Sequence, residues 1–446
     1  MSTIDINNIL SKVNNAVWGP AMLALLLGTG IYLTIKMRFF QVRKLNYVFT
    51  HTLGNLKNST HKKKGKITPF QAVSTALAGT IGTGSVAGVA TAIVTGGPGS
   101  IFWMWVSAFF GAATKYAEIM LSLEYRERTK KGKWIGGPAY YIKNGLKNQK
   151  LAFLFAAFTL LACMGMGNTV QSNSIAEALS TSSLSVDKNI TAVILMTVSG
   201  VVILGGVKKI ASTNEKLVPF MALFYVLCSI VSLVLNYGKI PQALTLIIDD
   251  AFDFKAIFGG GVGYGIANSV KTGFAKGVFS NEAGLGSAPI AHACADTENA
   301  QKHALWGIFE VYFTTFICTV SALVILCADV WNFSTLNGSA LCVASFNEIL
   351  PGFGGAVVTT ATVLFALSTI LGWAYYGEIS VSFIFKNSNC AIMIFRIIYV
   401  LAIYVGAVSA MNCVWQFSEI ANALMAIPNI IAIICLRNKI IPPNVK

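Results

Sequence analysis

The sequence predicts an all-α polytopic membrane protein with eleven transmembrane helices: a five-plus-five inverted repeat with discontinuous helices, and one extra helix at the N-terminus. Three observations carry that prediction. The chain is 55% hydrophobic and 11% charged, with a mean hydropathy of +0.65, whereas soluble domains are about 25% charged. Apolar runs long enough to cross a bilayer recur along its whole length. Two of those runs are interrupted alike, by GTIGTGSVAG at 79–88 and SNEAGLGSAP at 280–289, which share the tetrad G-x-G-S 202 positions apart.

The apolar runs fall at 16–35, 69–94, 99–122, 151–177, 189–207, 217–237, 268–293, 303–328, 355–385, 391–411 and 413–435. The run 268–293 contains Lys271, Lys276 and Glu282, so a separate interfacial helix over 262–276 is an open alternative. Basic residues set the orientation, because loops on the cytoplasmic side collect Lys and Arg. The connection 36–66 holds nine of them and no acid, and the connection 124–150 holds eight, Lys130 and Lys131 included. With Lys208, Lys209, Lys216, Lys302, Lys386, Arg437, Lys439 and Lys446, one side carries 25 basic residues. The other carries six (Lys12, Lys188, Lys239, Lys255, Lys271 and Lys276), together with Asp249, Asp250 and Asp253. The N-terminus is therefore expected outside and the C-terminus in the cytoplasm of a cell inner (plasma) membrane. The net charge of +15 sits in these loops, where it serves topology and anionic lipid rather than nucleic acid.

With the first helix set apart, ten remain, five in each half. An odd number per half makes the second half enter the membrane from the opposite side. The expected division is 1–67 for the extra helix and basic loop, 68–240 for the first repeat, and 241–446 for an external loop and the second repeat. The matched breaks then lie in the first helix of each repeat. Unwound backbone at membrane depth is tolerated only where it is buried in protein or lines a cavity. A pair of such breaks marks the binding site of a secondary transporter.

The first break, Gly79-Thr80-Ile81-Gly82-Thr83-Gly84-Ser85, frees N–H groups suited to a carboxylate and carbonyls suited to a hard cation. Close helix packing through Gly84 and Gly88 is the competing reading. The second break places Glu282 beside Asn281 inside the bilayer, where a carboxylate is costly unless paired or protonated. It is either an anchor for the broken helix or a direct ion or proton site. In FALSTILGWAYYGE, 365–378, Ser368 and Thr369 offer hydroxyl ligands for a cation, although such hydroxyls often bond back to their own helix. Trp373, one turn on, could wall a small pocket. Asn168 and Gln171 share a helix face; they read as interior amides, with helix–helix bonding as the alternative. Lys115 and Glu118, three apart, read as a self-neutralising ion pair.

The nine cysteines contain no C-x-x-C and the four histidines no H-E-x-x-H. Structural metal, disulfides and catalytic zinc are not expected. The polar start, MSTIDINNILSKVNN, has no basic segment of the kind that opens a cleavable signal peptide. No G-x-S-x-G or P-loop supports an enzyme, no nucleotide-binding domain is present, and paired breaks favour alternating access over a channel.

Four stretches resemble the alanine or glycine:cation symporters (sodium:alanine symporters): TGGPGSIFWMWVSAFFGAATKYAE (95–118), AGTIGTGSVAGVATAI (78–93), GVFSNEAGLGSAPIAHA (277–293) and STILGWAYYGE (368–378). The likeness spans essentially the whole chain. It implies a leucine-transporter-type fold and Na⁺-coupled uptake of small neutral amino acids such as alanine and glycine. Coupling to H⁺, or a preference for glutamine, is the alternative on the same fold. Na⁺ is then the coupling ion and no organic cofactor is needed; a monomer is the expected unit. The implied substrate site is Gly79, Thr80, Ile81, Gly82, Thr83, Gly84, Gln171, Phe279, Ser280, Thr369 and Trp373. The Na⁺ candidates are Thr75, Gly79, Ser368 and Thr369. Lys115, Glu118, Asn168 and Glu282 are expected in structural or unassigned roles. Ser85 stands where asparagine is expected in many relatives.

Overall fold

A computed structural model describes residues 3–55, 66–129, 132–182, 185–252 and 263–443. Lys130, Lys131, Asp253, Lys255 and Lys446, which entered the topology argument, lie outside the described residues, as does part of the basic connection 36–66.

The described chain is helical almost throughout. In order the helices are α1 (Thr3–Val17), α2 (Pro20–Lys36), α3 (Phe40–Arg43), α4 (Leu45–His51), α5 (Pro69–Thr80), α6 (Ala87–Gly96), α7 (Ser100–Glu124), α8 (Pro138–Gly145), α9 (Gln149–Met164) and α10 (Val170–Thr181). There follow α11 (Lys188–Ile203), α12 (Gly206–Leu235), α13 (Ile240–Ala251), α14 (Gly263–Asn281), α15 (Ala288–His292), α16 (Ala300–Ala328), α17 (Gly338–Ile349), α18 (Gly354–Ile384), α19 (Asn389–Val408) and α20 (Met411–Cys435). One small hairpin, Glu127–Arg128 against Trp134–Ile135, joins α7 to α8.

Each apolar run read from the sequence is occupied by helix. Among the described residues, seven helical stretches are long and apolar enough to cross a membrane. The predicted spans 69–94 and 268–293 are each two helices with a break between them. The alternative of an interfacial helix over 262–276 is not what forms: α14 runs without interruption from Gly263 to Asn281. Six helices that the hydropathy reading did not resolve, α1, α3, α4, α8, α13 and α17, connect or flank the longer ones.

Local chemistry sets the helix ends. Thr68 and Gln71 form a reciprocal capping box at the start of α5, each side chain accepting the other's backbone N–H at 3.1 Å, with Pro69 in the first turn. Asn148, Asp187, Asn299 and Ser388 cap α9, α11, α16 and α19. Asp250 of α13 caps α7 from another element, its Oδ2 accepting the Gly99 N–H at 2.7 Å. Rows of bare apolar side chains at helical spacing run along the outer helices: Val193, Ile194, Val198 and Val201 on α11, and Ile394, Ile397, Ile398, Leu401 and Val405 on α19. In water such stripes would be core faces; here they are the faces that lipid covers.

Inside this shell, α5 and α6 pack against α12, α14, α17 and α18, while α14 and α16 pack along α7. The far ends of the two broken helices meet. Ile67, just before α5, forms a parallel β-bridge with Ala295, just after α15, and the Asp296 N–H donates to the Ile67 carbonyl at 3.0 Å. Lys66 pairs with Asp296 at 2.9 Å. Arg126 donates to the carbonyls of Ala293, Ala295 and Thr297 at 3.2, 2.7 and 2.6 Å, closing off the C-terminal end of α15.

Candidate functional site at the two helix breaks

Residues 81–86 interrupt the first broken helix. Ile81 leaves the helical region, Gly82 is extended (φ −115°, ψ −161°), and Thr83–Ser85 form one 3₁₀ turn. Gly82 is required by close approach rather than by its dihedrals. A Cβ there would lie 2.7 Å from Thr369 Oγ1 and 3.4 Å from Gln171 Oε1. Gly79 is pressed the same way, 2.7 Å from Tyr376 Oη, and Gly84 lies against the Phe279 ring. The break therefore brings together the first broken helix, α10 and α18, and those three elements carry Gly82, Gln171 and Thr369.

Gln171 follows a π-helical turn over Gly165–Thr169. That turn inserts one extra residue, so Asn168 and Gln171 do not share one partner as their spacing suggests. Asn168 donates to the Tyr399 carbonyl on α19 at 2.6 Å. Gln171 Oε1 accepts from the Thr83 N–H at 3.3 Å and from its hydroxyl at 3.0 Å, while Nε2 donates to the Met166 carbonyl at 2.9 Å. Thr369 Oγ1 lies 2.9 Å from the Ala78 carbonyl and 2.9 Å from the Phe365 carbonyl. Its one hydrogen serves one of these at a time, and its lone pairs stay free. Ser368 and Thr75 bond back along their own helices, to Phe365 and Gln71. Together, the Ala78 carbonyl and the Thr369 hydroxyl are oxygen donors of the kind a hard cation takes. Thr83, Gln171, Thr369 and Trp373 are buried to 1% exposure or less, so the site is closed to water on both sides.

The second break, 282–287, turns through positive φ at Glu282 (55°), Gly284 (92°) and Gly286 (82°). For glutamate this left-handed backbone is uncommon, and its contacts explain it. Glu282 Oε1 accepts from Trp373 Nε1 at 3.1 Å, and Oε2 accepts from the Ser287 hydroxyl across the break. The carboxylate thus splints the unwound segment. Phe279 stacks on Trp415 of α20 with ring centroids 5.2 Å apart. Trp373 packs edge-to-face with Tyr376, ring centroids 5.3 Å apart, while its indole N–H reaches Glu282. Ser280 bridges the two breaks, its hydroxyl 3.1 Å from that of Ser85 and 3.1 Å from Cys318 Sγ.

Lys115 and Glu118 do not form the direct ion pair that their spacing suggests. Lys115 Nζ donates to the Asn281 carbonyl at 3.0 Å. There the C-terminal end of α14 offers a free carbonyl in a partly negative helix terminus. Glu118 accepts from Asn429 Nδ2, which also donates to the Gly284 carbonyl at 2.9 Å. Tyr141 donates to Asn429 Oδ1. Asn429, Tyr141, Tyr376 and Ser321, whose hydroxyl donates to the Ser85 carbonyl at 2.9 Å, were not singled out by sequence reasoning. Asn429 carried a usable signal: an amide beside Pro428 within an apolar span.

Nothing in this arrangement resembles a nucleophile with its base; two unwound segments facing hydroxyls and amides across a closed interior define a secondary transporter. The fold agrees: the solved structure of MhsT in complex with L-phenylalanine superposes with a TM-score of 0.60 at 12% identity, over 84% of this chain and 90% of that one. This is the leucine-transporter type of fold. The chain belongs to the sodium:alanine symporter family, whose model matches residues 3–443. It is 44% identical over 446 residues to the sodium/alanine symporter AgcS of Methanococcus maripaludis, covering 98% of this chain and 96% of that one. It is 34% identical over 432 residues to the probable sodium/glutamine symporter GlnT of Bacillus subtilis, covering 97% and 88%. The chain is thus a multi-pass membrane transporter and not an enzyme.

Proposed function

We propose that this protein couples Na⁺ entry to the uptake of a small neutral amino acid, alanine or glycine, by alternating access. The observation that carries the reading is the meeting of Thr369 Oγ1 with the Ala78 carbonyl at 2.9 Å, one residue layer from Gly82 and Gln171. It puts cation-type oxygens beside amide-lined unwound backbone. Thr75, Gly79, Ser368 and Thr369 are the positions assigned to Na⁺. The backbone of Gly79–Gly84 and Gln171 take the amino-acid head group, with Ser280 close by. Phe279 and Trp373 bound the side chain.

The same reading keeps eleven spans in a five-plus-five inverted arrangement. The N-terminus is outside and the C-terminus inside the cell membrane, and the monomer is the working unit. Support for the repeat comes from the two breaks, at 81–86 and 282–287, which fall at matching places in their motifs. The deciding experiment is uptake of labelled alanine, glycine and glutamine into proteoliposomes, with and without an inward Na⁺ gradient. Alanine or glycine accumulation only with Na⁺ is the expected result. Accumulation driven by H⁺ alone, or of glutamine in preference, replaces the assignment with another on the same fold.

A further inference from the structure

Three ionisable side chains stand in line away from the first break, and the transport reading above uses none of them. His292 ends α15, the short helix after the second break. His303 and Glu310 lie seven residues apart on α16, hence on one face. His292 Nε2 is 2.7 Å from Glu310 Oε1, and His292 Nδ1 is 3.0 Å from His303 Nε2. His292 and Glu310 are wholly buried and His303 is 5% exposed. The two rings spend their facing nitrogens on each other, and among the described residues no cluster of His, Cys, Asp and Glu is arranged to hold a metal.

Counting hydrogens constrains the line. Glu310 Oε2 has no partner and Oε1 has only His292. If the carboxylate is ionised, His292 Nε2 carries a hydrogen. With both rings neutral, His292 Nδ1 must accept from His303 Nε2, and a full negative charge stays buried. One added proton, on His292 Nδ1, cancels that charge and reverses the bond, so that His292 donates to His303. The same total is reached if Glu310 holds the proton and His292 is neutral. A buried carboxylate without a compensating charge is strongly disfavoured.

Among the described residues, none of the other ionisable neighbours is bonded to Glu310, so no cation pairs with it directly. Lys115 of α7 passes close to Gly307 on α16 and directs its ammonium to the Asn281 carbonyl. Arg126, which lies near His303, is committed to three carbonyls. Glu282 of the second break and Tyr376 of α18, which sense the charge of Glu310, bring no positive charge. Glu378, on α18, is paired with Arg396. His51 on α4 is turned to the Tyr47 carbonyl.

We propose that Glu310, His292 and His303 form a proton-binding site that holds one proton in this conformation and releases it when α15 separates from α16. His303, near the start of α16 and beside Lys302, is the end of the line that meets water, so the proton enters and leaves there. Acidity therefore favours the closed packing of α15, whichever amino acid the central pocket takes.

Side-chain nitrogen NMR on the full-length protein labelled with ¹⁵N-histidine reads the hydrogens directly. The chain has four histidines, and His292→Gln and His303→Gln assign the signals. Near neutral pH the hydrogen between the two rings is expected on His292 Nδ1; a hydrogen on His303 Nε2 across pH 5–9 overturns the proposal. Coupling to α15 is read by alkylating a cysteine placed at Ile67, with the other cysteines replaced. The rate for otherwise wild-type protein, divided by that for Glu310→Gln at the same pH, is expected to rise by up to about tenfold per pH unit while the closed form keeps a proton that the open form has lost, and to level off above that range. A ratio that does not change with pH overturns the coupling.

Discussion

The carboxamide oxygen of Gln171 rests against the backbone N–H of Thr83, 3.3 Å away, and against the Thr83 hydroxyl. The Gln171 amide thus lies at the place at the first break where an amino-acid carboxylate is expected, with its Nε2 as a donor for that group. Gln171→Ala should then raise the KM for every transported amino acid by a similar factor, because the carboxylate is common to all. Gln171→Glu should raise KM further, since a fixed negative charge competes for the Thr83 N–H. Uptake kinetics for two amino acids of different size check both; an unequal effect on the two moves Gln171 out of the head-group position.

Thr369→Ala should raise the Na⁺ concentration for half-maximal uptake, with a much smaller effect at saturating Na⁺. Loss of one polar partner in a closed site costs about 1–3 kcal/mol, roughly a five- to hundredfold change in affinity. An unaltered Na⁺ dependence removes Thr369 from the cation site.

Gly79→Ala should abolish uptake, because the added methyl lies 2.7 Å from the hydroxyl of a Tyr376 that has no room to retreat. Removing that oxygen with Tyr376→Phe should restore part of the activity to the double variant. Since the Tyr376 hydroxyl has no partner among the described residues, Tyr376→Phe alone should be close to neutral. A double variant no better than Gly79→Ala would show that the backbone, not the contact, demands glycine.

Trp373→Phe keeps a ring but takes from Glu282 one of its two donors. The expected loss is about 1–3 kcal/mol of stability, read as a lowered Tm in detergent. Trp373→Ala, by contrast, should weaken alanine binding and admit larger neutral amino acids in competition assays. An unchanged competition profile would take Trp373 away from the side-chain pocket.

Orientation can be read from two exposed positions. A cysteine at Phe333, which is 83% exposed beyond the end of α16, should react with an impermeant thiol reagent on whole cells. One at Lys133, in the hairpin after α7, should be shielded until the membrane is opened. The reverse pattern would overturn the N-out assignment and the inverted repeat with it.

Glycine and hydroxyl content at membrane depth made both breaks legible in the sequence, because little else accounts for G-x-G-S twice inside apolar runs. Gln171 and Thr369 were legible as polar groups on apolar helices, and the fold brings both to Gly82. What local spacing could not give was which distant group each polar side chain meets. Lys115 and Glu118 satisfy the i, i+3 rule, yet each finds its partner on another helix, at Asn281 and at Asn429. The π-turn at Gly165–Thr169 likewise separates Asn168 from Gln171, and a one-residue insertion of that kind leaves no periodic trace.

The junction of Ile67 with Ala295 has a kinetic meaning. Two segments that lie more than two hundred residues apart in the chain share one backbone bridge and one ion pair, and Arg126 holds the second of them in place, so a swing of either one strains the other. Exposure of the interior on that side is then a single concerted event with one barrier, and a lesion at Lys66, Arg126 or Asp296 should change the rate of that event rather than the affinity for what is carried.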